Sequence, residues 1–193
     1  YIANNDVAYR YTLLPVKDGN PRCAVIYGET SSFNFPDETR TFMTPQIQPM
    51  SGWQRTKPSY EEEFSPDVRL TDKSKYGVGY TFPCLFRIPN KGNNTWILIS
   101  ETGTSSYPGC RLSEYEPTKG YHIAYPQAGE NNGFGSEFAS IPLPSSTPWR
   151  TITVGRSLQP IVETTIPYNV VEPLYKAKYD CKPGRYTWSW ILW

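Results

Sequence analysis

Histidine is nearly absent from this chain, with one in 193 residues, and methionine occurs twice. A single His122 excludes a multi-histidine metal centre built from these residues alone. Excess charge of either sign is also missing: 19 Lys and Arg stand against 18 Asp and Glu, a formal +1. That balance supplies no electrostatic footprint for nucleic acid or for an anionic membrane. No apolar run approaches 18 residues, so no helical membrane span is written here. No pair of cysteines has C-x-x-C spacing, no phosphate-binding loop occurs, and no G-x-S-x-G elbow occurs. Long helices have no room either. The 19 prolines leave Asn90 to Tyr107 as the longest internal proline-free stretch, and Gly92 and Gly103 interrupt it. Proline costs about 3 kcal/mol in a helix interior. A helical bundle and a doubly wound α/β domain are therefore excluded.

What is present points to strands. Aromatics make up 15% of the chain, with 15 Tyr and 6 Trp, a composition suited to pleated, half-buried surfaces. Alternation predicts strands at Asn4 to Val16, where Val7, Tyr9, Tyr11 and Leu13 fall on one side, and at Arg22 to Phe35. A proline-rich connection is expected from Pro36 to Pro58, then a surface strand from Tyr60 to Leu70. Tyr80 to Pro89 and Trp96 to Thr102 read as a hairpin turned at Gly92-Asn93-Asn94. In its second arm Ile97, Ile99 and Glu101 share one face. Shorter strands are expected at Arg111 to Glu116, Tyr121 to Tyr125, Thr151 to Val154 and Ile161 to Ile166. Gln127 to Ser136 reads as a loop, and Asn169 to Tyr175 as extended or turn-like. About nine short strands with turn signals every ~8–12 residues predict an all-β antiparallel sandwich.

Both ends read as edges of something larger. Tyr1 opens the chain without Met or leader, and Tyr186 to Trp193, YTWSWILW, is an apolar run of the kind buried on both faces. The expectation is a sandwich whose opening strands are missing, with an unpaired edge prone to self-association. Cys23, Cys84, Cys110 and Cys181 allow three disulfide connectivities or four half-buried thiols, and both remain open.

Several segments, in order, resemble one family: NNDVAYRY (Asn4 to Tyr11), GETSSFNFP (Gly28 to Pro36), YEEEF (Tyr60 to Phe64), TFPCLFRI (Thr81 to Ile88) and ISETGTSSYPG (Ile99 to Gly109). The long block from Pro148 to Pro173 and KPGRYTWSW (Lys182 to Trp190) complete the series. Together they are similar to the N-terminal domain of glycoside hydrolase family 97. The resemblance implies a large galactose-mutarotase-like β-sandwich over residues 1–181. Residues 182–193 would be the linker and first strand of a catalytic (β/α)8 barrel that lies elsewhere. It implies a non-catalytic part of a calcium-dependent, exo-acting α-glucosidase or α-galactosidase, inactive by itself. The implied partners are an oligosaccharide ending in α-linked glucose or galactose and the barrel of the same polypeptide, in the periplasm or outside a Gram-negative cell. Two departures, Asp180-Cys181 and Glu101-Thr102-Gly103, leave glucose against galactose open. The alternatives from other classes are a free-standing carbohydrate-binding module and a structural surface domain.

Among individual residues, Glu101 carries the most weight. Pattern alone makes it a glutamate emerging into solvent at a strand end. The resemblance makes it a calcium ligand reaching from sandwich to barrel, and one carboxylate is too few for an ion that takes about six to eight oxygens. Tyr107 and Trp188 are the candidates for sugar contact, because sugar rings stack on aromatic faces. Trp53, Trp96 and Trp149 read as packing residues. Arg150, next to Trp149, is read as pairing with an acid. Glu61, Glu62 and Glu63 alternate faces and read as solvated. His122 reads as a strand side chain with a satisfied hydrogen bond.

Overall fold

Strict alternation places every second side chain of the central hairpin in one layer, and the fold grows outward from it. The computed structural model describes residues 1–19, 21–48, 63–105, 107–130 and 137–175, together with 178, 182, 184, 185 and 187. The hairpin pairs β7 (Tyr80–Asn90) with β8 (Asn93–Thr102) in register from Cys84↔Ile99 to Asn90↔Asn93. Its turn is the two residues Lys91-Gly92, starting one residue before the expected Gly92-Asn93-Asn94, and Gly92 takes φ +85°, which glycine adopts at no steric cost.

The remaining strands are β1 (Asp6–Tyr9), β2 (Thr12–Leu13), β3 (Cys23–Ile26), β4 (Ser32–Phe33), β5 (Arg40–Pro45), β6 (Ser65–Arg69), β9 (Arg111–Leu112), β10 (Tyr121–Ala124), β11 (Ala139–Pro142), β12 (Ser145–Ser146) and β13 (Trp149–Gly155). Among the described residues, nine of the thirteen strands form one curled antiparallel sheet in the order β1-β13-β8-β7-β9-β10-β4, with β5 joining β7 and β6 joining β5. Two ribbons, β11–β3 and β12–β2, face it. The chain is an all-β sandwich, as its alternation predicts.

Particular elements differ from the reading. The segments from Asn4 and from Arg22 each break into two strands, since Tyr11 turns its amide to the Thr147 hydroxyl and the Gly28–Ser31 stretch leaves the ladder. β5 lies inside the proline-rich connection, and its threonines and methionine alternate cleanly between buried and half-buried. Ile161 to Ile166 is not a strand. It holds the end of α1 (Gln159–Glu163) and the start of α2 (Ile166–Asn169), each helix with proline in its first turn. Proline's fixed φ suits that position and removes only an N–H that would lack a helical partner. The β-branched run outweighed this signal in the sequence reading.

Two apolar clusters fill the sandwich. The first gathers Met43, Leu70, Tyr80, Cys84, Phe86, Ile99, Leu112 and Tyr121, with Phe35 stacked on Phe86 at 4.2 Å. Burying one such side chain contributes about 1.5–3 kcal/mol. The second joins Tyr107, Cys110, Ile123 and Tyr125 to Ala139 and Ile141 of the facing ribbon. Phe33 and Phe82 touch both clusters and so weld them. Cys84 and Cys110 are buried thiols in these clusters. Cys84 donates to the Thr81 carbonyl, and burial pushes its thiol above its ordinary range. Gly79 meets the Leu112 carbonyl so closely that a Cβ there would stand 2.1 Å from it. At the other end, Asp6 Oδ1 accepts from the hydroxyls of Thr153 (2.5 Å) and Thr164 (2.8 Å), tying β1 and β13 to the segment between the helices. Among the described residues no helix is long and apolar enough to cross a membrane.

Candidate functional site

Register alone brings a cation and an anion together. Arg150 on β13 lies directly opposite Glu101 on β8, the arrangement in which cross-strand side chains meet. The guanidinium is 1% exposed. Its NH1 donates to Glu101 Oε2 at 2.5 Å. Its other side is held by Glu29, which accepts from NH2 at 2.7 Å and from Nε at 3.4 Å. Glu29 comes from the irregular stretch between β3 and β4 and takes a further bond from the Ser31 hydroxyl at 2.9 Å. Glu101 Oε1 accepts the Cys110 amide at 3.0 Å, and Arg150 NH2 also reaches the Cys110 sulfur at 3.7 Å.

The result is a buried knot of two carboxylates around one guanidinium, with one negative charge left over. Burial raises the Glu101 pKa, and the Arg150 charge and the Cys110 amide oppose the rise. Burial works against the Arg150 charge as well, but the carboxylates of Glu29 and Glu101 hold it firmly protonated. The Cys110 thiol is pushed up to about 12, first by burial and then by the neighbouring Glu101 charge. Removing three ions from water costs several kcal/mol each, so such a knot persists only because every polar atom in it is paired.

Glu101 shows one flank to an open pocket of about 340 Å³, shared with Gln46, Thr81, Ser100, Arg111 and Glu130. Arg111 stands 3.8 Å from Glu130 and donates its Nε to the Val78 carbonyl, so its charge is already matched. Gln127 also donates to Glu130, at 2.7 Å. Oxygen donors predominate in this lining, the chemistry a hard cation such as calcium requires. A carboxylate offers about four lone-pair sites, and the bonds from the Cys110 amide and Arg150 use two of those on Glu101. Among the described residues no group of three or more His, Cys, Asp or Glu side chains is placed to hold a metal ion. The donor type therefore fits calcium, and the donor number requires ligands from beyond these residues.

Tyr107 lies elsewhere. It is buried, its hydroxyl pairs with that of Tyr125, and its ring meets Tyr125 edge-on at 6.0 Å. Together they line a separate pocket of about 240 Å³ with Tyr11 and Glu29. Among the described residues, Glu101 and Tyr107 thus line different pockets. Trp188, Trp53, Glu61, Glu62 and Cys181 fall outside the described residues, as does most of Tyr186 to Trp193. Glu63 is exposed. Trp149 packs under Arg10 at 4.6 Å, and Trp96 against Phe42 at 5.5 Å. His122 stands 4.0 Å from Glu116 at a polar, open pocket.

Glu29 is the residue the sequence reading missed. It lies within GETSSFNFP, inside the strand expected from Arg22 to Phe35. Its usable signal was Gly28, a strand breaker directly before a charged residue.

The sequence matches the family described as Glycosyl-hydrolase 97 N-terminal over residues 1–173. A solved β-arabinopyranosidase is similar at 53% identity and TM-score 0.82, over 93% of this chain and 28% of that one. A variant of a glycoside hydrolase family 97 enzyme from Pseudoalteromonas sp. strain K8 shares the fold at 21% identity and TM-score 0.63, over 88% of this chain and 22% of that one. A complex of that family 97 enzyme type with panose, from the same strain, gives 22% identity and TM-score 0.60, with the same coverage. No curated protein matches. The chain spans about a quarter of the length of the solved enzymes it resembles. It belongs to the glycoside hydrolase family 97 N-terminal family.

Proposed function

We propose that this family 97 domain is the non-catalytic sandwich of an exo-acting glycoside hydrolase, and that it presents Glu101 as one calcium ligand to a catalytic barrel. The observation that carries the reading is the state of its buried acids. Glycoside hydrolysis needs two carboxyl groups free to exchange protons or attack carbon on either side of the scissile bond. Glu29 and Glu101 are instead bound to the same guanidinium. They can hold charge in place, but they are poorly disposed to move a proton. The acid–base pair then belongs to the rest of the enzyme, which in the similar solved structures makes up most of the chain.

Glu101 is the carboxylate of the knot that walls the oxygen-rich pocket of about 340 Å³. Calcium, when bound, supplies a fixed positive charge that orders acidic residues around it. This chain's part is to hold Glu101 at a set position and to keep its neighbours oxygen-rich. The large side chains of Val162, Tyr168, Leu174 and Tyr175 are more than two-thirds exposed, and they offer apolar surface for packing against the barrel. Export to the periplasm or cell exterior goes with this reading.

For substrate, the 53% identity to a β-arabinopyranosidase favours a whole enzyme acting on a β-arabinopyranoside. In the L series that sugar has the ring stereochemistry of an α-galactoside without its hydroxymethyl group, so the galacto configuration is favoured over gluco. The test is hydrolysis of p-nitrophenyl β-L-arabinopyranoside, α-galactoside and α-glucoside by the full-length enzyme carrying this domain, and by residues 1–193 alone. The full enzyme is expected to prefer the first two and to lose activity in chelator, with the isolated chain inactive on all three. Turnover by the isolated chain would overturn the non-catalytic role, and preference for the glucoside would overturn the substrate.

A further inference from the structure

Glu101 stands in a contradictory position for a cation ligand, because a guanidinium already touches it at 2.5 Å. An unbalanced arginine there would repel the incoming ion and compete for the carboxylate. The far side of that same guanidinium resolves the conflict. Glu29 takes two of its nitrogens, NH2 and Nε, in the forked arrangement that matches carboxylate to guanidinium. This does two things. It fixes the plane of the fork so that NH1 alone is left for Glu101. It also gives the arginine a second anion, so Arg150 does not by itself neutralise Glu101 at the wall of the 340 Å³ pocket.

We propose that Glu29 is a positioning residue for the cation site, acting on Glu101 through Arg150 although it lies outside the pocket that Glu101 lines. The proposal rests on the reading of Glu101 as a calcium ligand. Its physical content is specific. With Glu29 neutral, Arg150 has one anion instead of two. It turns both edge nitrogens toward Glu101, draws that carboxylate out of the pocket and cancels its charge. Glu29 is itself buried and held by Ser31, so it has no freedom to relax away from this role. The Cys110 amide holds Glu101 from the other side, and Glu101 is thus suspended between a backbone donor and a charge-balanced arginine.

Calcium titration calorimetry on the full-length enzyme tests this, using wild type, Glu101→Gln, Glu29→Gln and Glu29→Asp, with urea unfolding in chelator as a control for folding. Loss of binding in Glu101→Gln is expected, with a roughly 10–100-fold weaker affinity in Glu29→Gln, the range typical of partners that orient a metal ligand. Glu29→Asp keeps the charge but shortens the reach, so it is expected to recover much of the affinity. If Glu29→Gln does not fold, Glu29→Asp decides, with an expected loss of about 3–5-fold, smaller than the range for a neutral side chain. Affinity within about twofold of wild type in a folded Glu29 variant, with Glu101→Gln unable to bind, would overturn this inference and leave the calcium reading standing. Unchanged binding in Glu101→Gln would overturn both.

Discussion

Strand β8 runs through two environments that solve the same packing problem in opposite ways. Its middle sets Ile99 among Cys84, Phe86 and Leu112, where contact is non-directional and each buried carbon adds stability. Two residues on, along the same face, Glu101 meets Arg150, Glu29 and the Cys110 amide, where every contact has a direction and an unpaired atom is costly. The first region holds the sheet together. The second adds little net stability, since the Coulomb attraction has to offset the desolvation of three ions. What it provides is a carboxylate held at a defined place in a pocket wall. The difference between neighbouring residues of one strand separates what makes the fold from what the fold presents.

Substitutions can break that contrast. The largest effect is expected for Arg150→Met, which leaves Glu29 and Glu101 buried without a cation. Breaking a buried ion network on one side costs about 3–5 kcal/mol, read as a lowered urea midpoint. Ile99→Ala, on the same face of β8, is expected to cost about 2–5 kcal/mol by cavity formation, without altering pH dependence. The exposed Arg69–Asp72 pair, N···O 3.0 Å, supplies the contrast to a buried knot. The Arg69 hydrogen bond lowers the Asp72 pKa, so its contribution is present above the ordinary 3.8 and fades as pH falls through the depressed value. Asp72→Asn should therefore lower the thermal midpoint slightly at neutral pH and not at all in strong acid. An equal loss at both pH values would mean that the aspartate acts through packing.

The apolar half was open to sequence reading because it repeats. Phe82, Cys84 and Phe86 against Ile97 and Ile99 form a period-two pattern with a glycine turn between, and that pattern is local. The ionic half is not periodic. Glu29, Glu101 and Arg150 are far apart in the chain, and only the β8–β13 register and the path of the Gly28–Ser31 stretch bring them together. Glu101 was found as an oddity, a charge at the end of an apolar strand. Its arginine was read as pairing with some acid, and Glu29 carried no signal beyond the glycine before it. The misread helices have another cause. Ile161 and Val162 have the composition of a strand, and the turn chemistry of Pro160 and Pro167 won over it.

The central claim is that the knot serves the position of Glu101 while the apolar clusters serve the fold. The direct test is urea unfolding of the triple variant Glu29→Leu, Arg150→Met and Glu101→Leu. Apolar groups of similar volume often replace buried ion networks at no cost, or with a gain of about 1–4 kcal/mol. A single cooperative transition is expected, with a midpoint equal to or above that of wild type. A triple variant as unstable as Arg150→Met alone, or one that fails to fold, would contradict it by showing that the ions themselves hold the sandwich together.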